Sequence, residues 1–82
     1  MTTTTVAWVR SVRIDDDGIT AYVDIHSTLG PEVTSWELHG LNPDADGAVL
    51  EATILANVQA YCRATLGIPV DADHAVRLLT RL

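Results

Sequence analysis

Two stretches near the N-terminus alternate apolar and polar residues with a period of two, the spacing of a strand that buries one face. From Val6 to Ile14 one row holds Val6, Trp8, Val12 and Ile14, with Arg10 among them; the other holds Ala7, Val9, Ser11 and Arg13. In the second stretch Ile19, Ala21, Val23 and Ile25 form the inward row, and Thr20, Tyr22, Asp24 and His26 the outward one. Between them lies Asp15-Asp16-Asp17-Gly18. Aspartate bonds nearby backbone amides and glycine accepts positive φ, so this segment reads as a hairpin turn. Leu29-Gly30-Pro31-Glu32 breaks the pattern again, and Val33 to His39 reads as a third strand with Thr34, Trp36 and Leu38 on one face. Sequential strands usually pair, so residues 1–40 predict a three-stranded antiparallel meander.

The period then lengthens. Asn42 is a good helix cap and Pro43 a good first helical residue, Asp44 and Asp46 suit the positive end of a helix dipole, and Gly67 with Pro69 supplies a stop. These signals predict one long helix over residues 42–66. A short C-terminal helix is expected over residues 71–82, capped by Asp71, with Ala72, Ala75, Val76, Leu79 and Leu82 as its apolar stripe. The fold class is therefore α+β, a single domain spanning residues 1–82.

The long helix has an unusual distribution. One i, i+4 row is Ala48, Ala52, Ala56, Ala60 and Ala64, and another is Leu50, Ile54, Val58, Cys62 and Leu66. At about 100° per residue the two rows stand about 200° apart, on opposite flanks. The large row should cover the sheet. The alanine row presents little area but lets another backbone approach closely. Three conditions suit it: exposure as plain helix surface, cover by residues 71–82, or contact with a partner subunit. The third gains from size, because 82 residues bury a smaller share of their surface than a large domain does.

Charge narrows the function classes. Eleven Asp and Glu face five basic residues, giving −6, and all five are Arg. A chain this acidic has few cations to displace counterions from phosphate, so direct binding of nucleic acid or of an anionic membrane is not expected. Composition without Lys but rich in Ala, Thr and Asp resembles the product of a GC-rich bacterial or phage gene. No apolar run reaches the ~18 residues of a membrane span. Met1-Thr2-Thr3-Thr4-Thr5 lacks the features of a signal peptide, so a cytoplasmic or virion location is expected.

Candidate chemistry is sparse. Asn42-Pro43-Asp44-Ala45-Asp46-Gly47 resembles the opening half of an EF-hand or dockerin calcium loop, with oxygen ligands at positions one, three and five and Gly at six. Position twelve, an acid in those loops, is Thr53, and position one is Asn42 where Asp is usual. A capped helix start explains the same residues without a metal. His26, His39, His74 and Cys62 match no zinc spacing, and Cys62 falls on the large apolar row as a small hydrophobe. His26 and His39 are expected at the surface, within reach of facing each other across strands. The chain has no nucleophile elbow, P-loop or Gly-x-Gly-x-x-Gly fingerprint, so neither catalysis nor a cofactor is expected. Phe is absent, and at least one of Trp8 and Trp36 is expected in the core; an exposed one would mark a contact surface.

The expectation from sequence is a non-catalytic assembly or adaptor subunit, acting on itself or on a protein partner, with a component of a phage or bacterial particle as the leading setting. Its expected interface residues are Ala48, Ala52, Ala56, Ala60, Ala64, Trp8 and Trp36. The alternative is an acidic inhibitor that occupies a basic nucleic-acid site on a host defence enzyme, with Asp15, Asp16, Asp17, Asp24, Asp44 and Asp46 standing in for phosphates.

Overall fold

A computed structural model describes residues 2–81. The chain runs β1 (Thr4–Ile14), β2 (Ala21–Ser27), β3 (Val33–Leu38), α1 (Gly47–Tyr61), a π-helical turn (Cys62–Leu66) and β4 (His74–Leu78). The fold is α+β: one mixed four-stranded sheet in the order β3-β2-β1-β4, with one long helix on it. β1, β2 and β3 form the expected antiparallel meander, while β4 lies parallel to β1.

β4 replaces the short C-terminal helix expected over residues 71–82. Asp71 does cap, but it caps a turn: its Oδ1 accepts from the amides of Asp73 (2.8 Å) and His74 (3.0 Å). The segment then alternates, with Val76 buried opposite Ala7 and Arg77 outward opposite Trp8. A five-residue piece with an open sheet edge beside it gains ladder hydrogen bonds as a strand. As an isolated two-turn helix it would be marginal. Leu82, read into that helix's stripe, lies outside the described residues.

α1 also starts later than Asn42. Asn42 Oδ1 accepts from the Asp44 amide at 3.0 Å and its carbonyl accepts from Ala45 at 3.1 Å, so Asn42 and Pro43 build a turn. Asp46 is the cap, its Oδ1 accepting from the Val49 amide at 2.9 Å. The expected stop holds. Gly67 has φ 68°, the left-handed conformation that glycine adopts most readily at a helix end. A second glycine is fixed by φ and by space: Gly18 has φ +73°, and a Cβ there would stand 3.0 Å from Pro43 Cβ. That contact draws the β1–β2 turn against the segment leading into α1.

The large flank of α1 covers the sheet as its spacing predicts, with Ile54, Val58 and Cys62 fully buried and Leu50 and Leu66 half-buried. Opposite them lie Ala7 and Val9 of β1, Ala21, Val23 and Ile25 of β2, and Val76 of β4. The buried core holds no aromatic among the described residues, which corrects the expectation of a core tryptophan. Instead Trp36 sits at its margin, stacked on Tyr61 of α1 with centroids 4.8 Å apart.

The face assignment of β1 is the other correction. Val9 pairs with Ile25 and Ser11 with Asp24, so Arg10 is an extra, bulged residue. The bulge swaps the parity of the strand. Ala7, Val9, Val12 and Ile14 face the helix, and Trp8, Ser11 and Arg13 face away.

Ile54→Ala should cost about 2–5 kcal/mol, because it opens a cavity under a fully buried side chain. Ala56→Ser on the exposed flank should change stability by less than about 0.5 kcal/mol. Urea denaturation followed by circular dichroism measures both; equal effects would contradict the assignment of the two flanks.

Candidate functional site

α1 covers one face of the sheet, and the side chains on the other face form three rows across the strands. Val33, His26, Trp8 and Arg77 make the first, Ser35, Asp24 and Ser11 the second, and Glu37, Tyr22 and Arg13 the third. Each row follows from register, since residues paired across strands share a face.

Neighbours within the rows interact. Trp8 and His26 lie with ring centroids 5.5 Å apart. Asp24 accepts from Ser11 Oγ (3.0 Å) and from Ser35 Oγ (2.9 Å), so both its carboxylate oxygens are engaged. The Arg13 guanidinium lies 4.5 Å above the Tyr22 ring, a cation–π arrangement. Arg77 donates through Nε to Thr5 Oγ1 at 2.8 Å. Arg10 projects from the bulge, is exposed, and lines a shallow groove of about 430 Å³ with Trp8, His26 and Leu79. Leu79 and Val33 are themselves exposed, at 62% and 51%.

In a chain with eleven acids, no arginine among the described residues pairs with a carboxylate; the two ion pairs are His39–Glu37 and His74–Asp71. Arg10, Arg13 and Arg77 against Asp24 and Glu37 leave the open face at +1. The remainder of the −6 chain therefore carries −7. His26 adds one more unsatisfied group, its Nδ1 being buried without a hydrogen-bond partner.

The expected interface residues divide. Trp8 stands on the open face, while Trp36 faces the helix. Ala48, Ala52, Ala56, Ala60 and Ala64 are exposed along the whole flank, and residues 71–81 do not cover them. Arg10, Arg13, Tyr22, His26 and Arg77 were not singled out by sequence as a surface. One signal was present: a charged residue, Arg10, in the middle of an otherwise apolar row marks a strand whose parity breaks.

The metal candidates scatter. Asn42 Oδ1 and Asp46 Oδ1 each accept from a backbone amide, of Asp44 and of Val49. His39 Nδ1 lies 3.2 Å from Thr20 Oγ1, and His26 pairs with Val33, so the two histidines do not face each other. Among the described residues no three His, Cys, Asp or Glu side chains gather in a metal-holding group. Cys62 is buried, and desolvation pushes its thiol above the ordinary value against a smaller opposing pull from Arg63. No described helix is long and apolar enough to cross a membrane.

One acid at each of two turns, Asp15 and Asp71, is bonded into the turn itself. Partial desolvation raises the Asp15 carboxyl, but donation from the Thr20 and Ile19 amides more than offsets it and leaves the group below its ordinary value. Asp71 is lowered chiefly by its hydrogen bond with the His74 side chain, at 2.8 Å, and then by the Asp73 amide.

The chain matches no protein-family model, and no curated protein or solved structure matches it.

A carboxyl depressed in the folded state stabilises above its unfolded value and loses that contribution as pH falls through the folded value. Asp71 should therefore titrate by NMR with a midpoint below 3.8. Asp71→Asn should be less stable than the parent at pH 6, and the gap should close in acid below that midpoint. A gap independent of pH would show that the carboxylate charge contributes nothing to the turn.

Proposed function

We propose that this protein is a non-catalytic assembly or adaptor subunit that works by protein contact. One observation carries the reading: the face of the sheet turned away from α1 holds Trp8, Tyr22 and His26 among three arginines with no carboxylate partner. Tryptophan, tyrosine and arginine are the side chains that dominate contact energies at protein interfaces. A sheet with a helix on one face only leaves those groups available. The exposed alanine flank of α1 is a second surface of a different kind, flat and able to approach a neighbouring backbone closely. Self-association suits a chain of 82 residues, and a place within a phage or bacterial particle, or in the cytoplasm where such a particle forms, suits this reading.

A second reading, the acidic inhibitor, draws on one feature. The close approach of Gly18 to Pro43, with the Leu41 amide donating to the Ile19 carbonyl at 2.9 Å, brings Asp16 and Asp17 to the same end of the molecule as Asp44 and Asp46. Asp24 and Asp15 do not join that set, since Asp24 is bonded on the arginine face and Asp15 within its own turn.

Light scattering from micromolar to millimolar concentration tests the proposal. The expected native mass is a multiple of the 8.8 kDa chain. Trp8→Ser should lower that mass while far-UV circular dichroism stays unchanged, and Ala56→Glu should do the same if the alanine flank shares in the contact. A monomer at every concentration would overturn self-assembly and leave contact with a different protein, which for the inhibitor reading should weaken steeply with salt.

A further inference from the structure

We propose that the arginine face of one copy receives the acidic end of a second copy, so that successive subunits join through two different surfaces. The inference rests on the assembly reading above and names the partner within it. The argument is charge complementarity carried by a single chain. Arg10, Arg13 and Arg77 share the open sheet face without an anionic partner. The densest anionic feature is the β1–β2 turn, where Asp16 and Asp17 are exposed and their side chains bond no described residue, with Asp44 beside them on the segment that Gly18 touches. No arginine on the face pairs with the turn of its own chain, so neither surface is satisfied internally. A second copy supplies the missing partner to each, in equal amount.

The apolar groups match as well. Ile19, beside the turn, is 44% exposed. The groove lined by Trp8, Arg10, His26 and Leu79 offers an aromatic wall and an aliphatic one, with a guanidinium at its side. An acidic turn carrying one aliphatic anchor fits that groove in both charge and polarity. Donor and acceptor surfaces differ, so the contact closes into a ring or a reciprocal pair where the rotation allows and otherwise propagates as a filament.

Net charge sets the conditions. Two −6 molecules repel as wholes across dimensions of 39 × 24 × 19 Å, while contact pairs act at a few ångströms. With a screening length of about 8 Å at 0.15 M salt, whole-molecule repulsion is muted and contact pairs persist. Association should be strongest near that salt and weaker both at millimolar and at molar salt.

A charge-swap experiment tests the inference. One variant reverses the face, Arg10→Glu with Arg77→Glu; the other reverses the turn, Asp16→Arg with Asp17→Arg. Each alone sets like charges together and should weaken self-association about tenfold or more by sedimentation velocity. An equimolar mixture should associate again, because each variant's intact surface meets a complementary one. Circular dichroism checks folding, and the salt profile of the parent serves if a variant fails to fold. If both variants associate as the parent does, or the parent's association ignores salt, the charge pairing is wrong while assembly stands and the alanine flank becomes the contact. If the parent is monomeric throughout, the assembly reading fails with it.

Discussion

A single helix serves a four-stranded sheet, and that shortage organises the molecule. Ile54, Val58 and Cys62 seal one side against Val9, Val23, Ile25 and Val76. Among the described residues no helix lies on the other side, and the C-terminal segment is used at the sheet edge as β4. β1, paired on both sides, contributes Val6, Ala7 and Val9 to the buried core and carries Trp8 and Arg13 on the opposite face. The extra residue at Arg10 reconciles the two tasks. Without it, Val12 and Ile14 would face water or Val9 would.

The meander was legible because two of its strands keep an unbroken period of two and its turns carry Asp, Gly and Pro. β2 buries Ala21, Val23 and Ile25 of the row expected, while Ile19, also expected inward, precedes the strand and is exposed beside the turn; β3 turns Thr34, Trp36 and Leu38 inward. β1 was legible as a strand but not in its facing, since a bulge leaves only an Arg out of place. The large flank of α1 was legible for the same reason that it folds: four aliphatics and a cysteine at i, i+4 need a sheet to cover. β4 was misread because five residues such as His-Ala-Val-Arg-Leu fit a short helix or a strand equally well. A vacant hydrogen-bonding edge beside β1, a tertiary fact, decided between them. The same competition moved the helix cap from Asn42 to Asp46, where the Val49 amide was available.

Electrostatics follows the same division. The face left bare holds three of the five arginines, one of them, Arg13, over the Tyr22 ring, while most of the acids collect at the turns and around the start of α1. Signs are thus separated within one small acidic molecule, and the contact between copies proposed above draws on that separation. The alanine flank contributes shape instead of charge: it is exposed and smooth, and a partner backbone can approach it without side chains to displace.

Hydroxyl-radical footprinting across a concentration series tests most directly whether the bare face is a contact surface. Trp8 and Tyr22 should react readily in dilute protein and become protected as concentration rises. Trp36 and Tyr61, stacked on each other at the margin of the core on the helix side of the sheet, should change little. Reactivity of Trp8 and Tyr22 that stays constant across the series would contradict the account.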